Sequence, residues 1–201
     1  MEIVKLTLGN YQMSSNCYLL IKDNEAVVID PGFDDSRLYD YLKNRNLKVN
    51  KIILTHGHFD HWGGLKGLRN IYPDALLYAS TLDHLWYEVG VNNYHHYEPK
   101  IDVDLNELKT IELLGNTFKI FKLPGHSAGS IGLYFNKTIF SGDVLFENSI
   151  GRTDLLQGDL NTLFNSIKQL YTLDNETIIY SGHGRPTTVL NEKINNPFIK
   201  G

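Results

Sequence analysis

The chain has 201 residues, 42% of them hydrophobic, which is enough to bury a sizeable core in one domain. Its net charge of -4, with no two Lys or Arg adjacent, excludes the basic stripe that would follow a nucleic-acid backbone. No run approaches the roughly 20 apolar residues of a membrane helix, and Met1-Glu2-Ile3-Val4-Lys5 does not open an export signal. The expected setting is the cytoplasm, with neither nucleic acid nor membrane as partner.

The N-terminal third alternates apolar runs with polar turns as antiparallel strands do: Ile3 to Leu8, Cys17 to Ile21 and Ala26 to Ile29. The single cysteine, Cys17, lies inside one of these runs and reads as a buried core thiol. Asp30-Pro31-Gly32 stops the third strand. Ser36 to Leu47 has the spacing of an amphipathic helix, with Asp34, Asp35 and Ser36 as alternative caps. A strand over Lys51 to Thr55 follows.

The stretch leaving that strand, Thr55-His56-Gly57-His58-Phe59-Asp60-His61-Trp62-Gly63-Gly64, puts three imidazoles and a carboxylate into six positions. At the chain's own His and Asp usage, such a cluster arises by chance in about one chain in a thousand. This ligand set suits zinc, manganese or iron, and a loop leaving a rigid strand can aim alternate side chains at one point. Gly63-Gly64 reads as an ordinary turn or as a place where backbone approaches a metal closely.

Beyond it, Leu65 to Arg69 looks like a short helix, Ala75 to Ala79 like a strand, and Thr81 to Val89 like a helix with Thr81 as its cap. The aromatic stretch that follows has two readings. It is a surface loop with partly buried rings, or a cleft wall supplying Trp86, Tyr87, Tyr94 and Tyr97 to a substrate. Its His95-His96 pair makes poor chelating geometry, because adjacent side chains in extended backbone point opposite ways.

The second half restarts the strand pattern. Thr110 to Leu113 with Thr117 to Lys122, and Ser130 to Phe135 with Thr138 to Phe140, read as two hairpins. A helix capped by Asp159 or Asn161 runs through Leu163, Ile167 and Leu170, and Thr177 to Tyr180 makes a last strand. The order predicts two packed sheets with helices outside.

Three further polar residues share one grammar, an apolar run, then Gly, then His or Asp: His126 in Leu123-Pro124-Gly125-His126, Asp143 in Phe140-Ser141-Gly142-Asp143, and His183 in Tyr180-Ser181-Gly182-His183. A lone histidine is more often structural than a ligand. Beside a motif that already demands partners, these three complete a count. Four donors within six residues can scarcely all reach one ion. Split between two ions, they leave both under-coordinated until two more histidines and a shared aspartate arrive, with room left for water as a catalytic site requires.

At this point the chain resembles a known family. The THxHxDHxGG run, the PGHS and SGD segments and the terminal GHG before Pro186-Thr187-Thr188 are similar to the metallo-β-lactamase superfamily, and within it to glyoxalase II-like thioester hydrolases. Asn16-Cys17-Tyr18-Leu19-Leu20 and Ile29-Asp30-Pro31-Gly32 match as well. The resemblance implies an α/β fold, the αββα sandwich of two mixed sheets with helices outside, as a single domain over residues 1–201. It puts His56, His58 and His126 on a first ion, Asp60, His61 and His183 on a second, and Asp143 between them. The cofactors implied are two divalent ions, zinc first, with iron or manganese as alternatives. Cysteine-containing lactamase sites do not fit, since Asp143 holds the third-motif position, and this argues against a β-lactam substrate. The tail Val189 to Gly201 is too short for the C-terminal helical domain of two-domain glyoxalase II.

The expected chemistry is hydrolysis of a small-molecule thioester or ester such as a hydroxyacyl-glutathione, by a hydroxide shared between the metals. Asp60 and Asp143 are the catalytic carboxylates of that reading. Arg152 either places an anionic substrate or is an ordinary structural arginine. The rival readings are a persulfide dioxygenase using one iron on His56, His126 and Asp143, a lactone or other ester hydrolase, and a metal-binding protein without catalysis.

Overall fold

The computed structural model describes residues 1–88 and 97–201. Strands β1 (Glu2–Gly9), β2 (Ser14–Lys22) and β3 (Glu25–Ile29) form the expected antiparallel meander. Helix α1 (Ser36–Asn44) then crosses to β4 (Lys48–Ile53), which runs parallel to β3. The loop carrying His56, His58, Asp60 and His61 follows and contains a single helical turn, α2 (Phe59–Trp62). Helix α3 (Leu65–Ile71) makes the next crossover, to β5 (Leu76–Ala79). A 3-10 turn over Thr81–Asp83 and α4 (His84–Tyr87) precede β6 (Val103–Asp104), the edge of this six-stranded sheet.

The second sheet is built from β7 (Thr110–Leu113), β8 (Asn116–Lys122), β9 (Ile131–Phe135) and β10 (Thr138–Gly142), each antiparallel to the last. A small ribbon of β11 (Leu145–Phe146) and β12 (Ser149–Ile150) comes next, then α5 (Leu160–Leu170). Helix α5 carries the chain to β13 (Ile178–Ser181), parallel to β10, and β14 (Thr187–Thr188) closes the edge before α6 (Val189–Asn195).

Alternation along the strands explains why the layers stack as they do. On β2, Cys17, Leu19 and Ile21 face the helices α1 and α3, where Leu38, Leu42, Leu65 and Leu68 meet them. Tyr18 and Leu20 point the other way, into the space between the sheets, against Phe118, Ile120, Leu133 and Phe140. On the far side, Phe121, Leu123, Ile139 and Ile179 pack under Leu163, Ile167 and Leu170 of α5 and Val189 of α6. Central strands buried on both faces must read as continuous apolar runs, and these do. Each fully buried Leu or Ile contributes roughly 1.5–3 kcal/mol.

Helix α1 starts at Asp35, whose carboxylate accepts from Arg37 N at 3.0 Å, and α5 starts at Asp159, which accepts from Thr162 N at 2.7 Å. The segment expected to be one helix from Thr81 is instead the 3-10 turn followed by α4, and Ser80 caps it, accepting from Leu82 N. Strands β6, β11, β12 and β14 have two residues each, too few to show any periodicity in a sequence. Cys17 is buried and free, as its apolar run implies. Among the described residues no helix is long and apolar enough to cross a membrane.

Candidate metal centre

All the candidate ligands leave strand ends at one edge of the sandwich. His56 follows β4, His126 follows β8, Asp143 directly follows β10 and His183 follows β13. Strands β10 and β13 are parallel, so their C-terminal turns lie side by side, and Gly182 N donates to Gly142 O at 2.9 Å. The first sheet is tied to the second where Ile131 N donates to Thr55 O at 2.9 Å. The sandwich therefore fixes the loops before any ligand does.

Two donor groups result. His56, His58 and His126 form one, and Asp60, His61, Asp143 and His183 the other. In the first, His58 Nδ1 lies 2.7 Å from His126 Nε2, which is 3.3 Å from His56 Nε2. In the second, His183 Nε2 is 3.1 Å from Asp60 Oδ2 and 3.2 Å from Asp143 Oδ2, and His61 Nε2 is 3.4 Å from Asp143 Oδ1. Asp143 belongs to both neighbourhoods, because its Oδ2 is also 3.6 Å from His126 Nε2 and 4.0 Å from His56 Nε2.

The donor chemistry fits divalent cations. His126 Nδ1 lies 2.8 Å from the Arg152 carbonyl, which can only accept, so Nδ1 carries the proton and Nε2 faces the centre as a lone pair. Burial pushes the imidazoles of His56 and His58 down, His58 to about 3, so both are neutral. Three imidazoles converge in the first group, and one shared proton can satisfy only one of their contacts. In the second, His61 Nε2 and Asp143 Oδ1 are buried without a hydrogen-bond partner. Burial would depress His61, but the carboxylates of Asp143, Asp60 and Asp30 outweigh it and raise it well above its ordinary value. The same balance, with Asp143 and Asp60, holds His183 up at about 10. The centre collects protons where it would collect cations, so metal uptake releases protons.

The chain matches the family described as the metallo-beta-lactamase superfamily over residues 10–183. It belongs to that superfamily. A curated relative from Haemophilus influenzae named hydroxyacylglutathione hydrolase GloC is 35% identical, with 98% of this chain and 97% of that one covered. Among solved structures, BLEG-1 B3 metallo-beta-lactamase superposes with a TM-score of 0.89 at 38% identity, covering 100% of both chains. TTHA1623 in a di-iron-bound form gives a TM-score of 0.85 at 35% identity, covering 98% of this chain and 100% of that one.

Within this metallo-beta-lactamase fold, three buried residues that sequence reasoning did not single out as functional hold the ligands in place. Asp30, at φ 53, receives Thr55 N at 2.8 Å, Thr55 Oγ1 at 2.7 Å and His61 Nδ1 at 2.9 Å. It fixes the His61 tautomer with Nε2 facing the centre. Asp83 receives Gly57 N at 2.7 Å, Ser127 Oγ at 2.7 Å and Gly129 N at 2.6 Å, joining the His56-Gly57-His58 loop to the His126 loop. Burial pushes its carboxyl up, and those three donors oppose the shift. Asn16 holds the His183 turn, donating from Nδ2 to Ser181 O and Gly184 O, each at 3.0 Å.

Of the two readings of Gly63-Gly64, the structure shows a packed turn and not an approach to the candidate ligands. A Cβ on Gly64 would strike the Phe33 and Pro31 carbonyls, so that pair packs the loop against the Asp30-Pro31-Gly32 turn. Gly182 does press on two candidate ligands: a Cβ there would lie 2.1 Å from Asp143 Oδ1 and 2.5 Å from His61 Cε1.

The substrate candidates divide. Trp86 stands edge-on to His58, ring centroids 4.3 Å apart, and lines a cleft of about 430 Å³ beside the centre. Tyr87 does not reach that cleft; it is buried in the helix-side core near Trp62, where its ring fills space under the sheet. Tyr97 packs on the same core and lines a separate cavity with Asp34 and Lys66. Tyr94, like His95 and His96, lies outside the described residues. The Arg152 guanidinium is turned outward onto the Asp154 carboxylate, and only the Arg152 backbone carbonyl serves the site, through His126.

Proposed function

We propose that the chain is a metal-dependent hydrolase of thioesters of the hydroxyacyl-thiol type. The observation that carries the hydrolytic reading is the position of Asp143, within reach of both donor groups at once. His56, His58 and His126 would hold one divalent ion and Asp60, His61 and His183 another, with Asp143 common to both. When bound, such a pair supplies a water acidified toward neutral pH and a Lewis acid for the carbonyl. The choice of a thioester is supported by the full-length likeness to a relative named hydroxyacylglutathione hydrolase.

The side chains divide the remaining work. Asp60 is the carboxylate that lines the cleft, and its backbone carbonyl is held by Ser15 Oγ, so it is placed to accept a hydrogen bond from the attacking water. Asp30 and Asp83 keep the imidazoles aimed while charge redistributes. Trp86 and its apolar neighbours would give the scissile carbonyl an apolar wall on one side. A thiolate leaves readily without a proton donor, which suits a cleft whose polar edge is His58 and Asp60.

A second reading is favoured by the likeness to a structure named as a B3 metallo-beta-lactamase. The absence of a ligand cysteine argues against cysteine-type lactamase sites only, so β-lactam hydrolysis belongs in the test. Protein loaded separately with zinc, manganese and iron is assayed on lactoyl-glutathione, a simple acyl thioester, a lactone, a phosphodiester and a β-lactam, with oxygen uptake followed on a persulfide. Thioester turnover that a chelator abolishes and metal restores is expected. Silence on both thioesters alongside turnover of another substrate overturns the proposal.

A further inference from the structure

The cleft beside the metal centre has a chemistry of its own. Away from His58 and Asp60, its walls are Met13, Phe33, Phe59, Trp86 and Leu155. Its remaining polar side-chain groups are the Trp86 indole N–H and the amides of Asn10 and Gln12; Asn10 Oδ1 accepts from Gln12 N at 2.9 Å and Met13 N at 3.1 Å, and Gln12 Nε2 donates to Tyr11 OH at 3.2 Å. Among the described residues no Lys or Arg lines it. The arginines of the adjoining segments are neutralised, Arg37 by Asp35 and Arg152 by Asp154. Residues 89–96, which follow Trp86 and Tyr87 closely in sequence, contain neither Lys nor Arg.

An anionic group such as a peptide carboxylate is held in protein sites by Arg or Lys forks or by clusters of free backbone donors. An apolar wall offers it only desolvation, which costs free energy without return. An uncharged hydrocarbon or aromatic group gains from the same wall, at about three- to fourfold in binding per methylene buried.

From this lining we infer that the group flanking the scissile carbonyl in the cleft is uncharged and apolar, so that the thiol or acyl part of the substrate is recognised by hydrophobic contact rather than through glutathione carboxylates. This rests on the thioester-hydrolase reading and narrows its substrate class. Met13, Leu155 and Trp86 are its specificity-determining residues.

The test uses the metal-loaded chain and two series. One varies the acyl group from lactoyl through butyryl to hexanoyl on N-acetylcysteamine. The other fixes the acyl group and varies the thiol, from N-acetylcysteamine through the neutral N-butyryl- and N-hexanoylcysteamines to glutathione. Alongside, binding of a non-hydrolysable neutral S-hexyl thioether is followed by tryptophan fluorescence, with and without metal. We expect kcat/KM to rise about three- to fourfold per methylene in the acyl series or across neutral thiols of growing chain length, and glutathione to give no gain over N-acetylcysteamine. Replacing the partly buried Leu155 of the cleft wall with arginine, L155R, should lower turnover of the apolar thioester and raise that of the glutathione thioester about tenfold. A glutathione thioester turned over more than tenfold faster than its neutral counterpart, or a flat response to chain length in both series, overturns the inference and leaves thioester hydrolysis standing. If no thioester is cleaved, the function reading falls, and the fluorescence titration still decides the cleft: saturable thioether binding weakened by L155R supports it, and no binding overturns it.

Discussion

The two donor groups at the sheet edge are built on different principles. His56, His58 and His126 are buried, and the first and last are aimed by neutral partners, Thr55 Oγ1 and the Arg152 carbonyl. The second group carries two carboxylates, and its His183 side chain is 36% exposed. Burial pushes the His56 and His58 imidazoles down, whereas the carboxylates of the second group hold His61 and His183 up and that group opens to solvent. One group is closed to solvent and the other open to it, and Asp143 lies within reach of both.

That contrast can be broken by substitution. The largest effect is expected for Asp143→Ala, which removes a donor from both groups. Turnover should fall by orders of magnitude, and metal analysis should find the loss on both ions. Next come His126→Ala and His183→Ala as a pair. The first should empty the buried group and the second the exposed group, leaving about one ion per chain in each case. Titrating the metal content of the two variants separates the groups, and equal loss of both ions in either variant would dissolve the distinction.

Smaller changes are expected from the supporting carboxylates. Asp83→Asn replaces one accepting oxygen with a donor facing Gly57 N, Ser127 Oγ or Gly129 N. Affinity for the ion on His56, His58 and His126 should drop about 10–100-fold while the other group keeps its own. Asp30→Asn should do the reverse, through His61. Competition against a chelator of known affinity measures both.

The smallest effect is expected at a site outside both groups. The Arg37 guanidinium beside Asp35 holds its carboxyl down at about 2. A depressed carboxyl stabilises the fold above its unfolded pKa, near 4, and that contribution disappears as the pH falls toward 2. Asp35→Asn should therefore lower the Tm slightly at pH 7 and by progressively less between pH 4 and pH 2, with metal content unchanged.

How much of this was legible in the chain follows from where each interaction is closed. Four of the seven ligands sit within six residues, and the other three repeat a Gly-His or Gly-Asp ending at strand termini, so their chemistry shows locally. The two-sheet sandwich was legible because strands buried on both faces leave continuous apolar runs. The supporting roles of Asp30, Asp83 and Asn16 were not, although Asp30 and Asn16 stood in matching segments, because their partners lie 25, 26 and 168 residues away. Trp86 and Tyr87 are neighbours in sequence and look alike there. Only the turn of α4 sends one to the cleft and the other to the core.

The central claim is that two divalent ions share Asp143. Its most direct test is metal content per chain after reconstitution and gel filtration, wild type against Asp143→Ala, measured with turnover on the same samples. The account predicts about two ions per chain in the wild type, fewer than one in the variant, and activity lost with them. An Asp143→Ala protein that keeps two ions and wild-type turnover would contradict it.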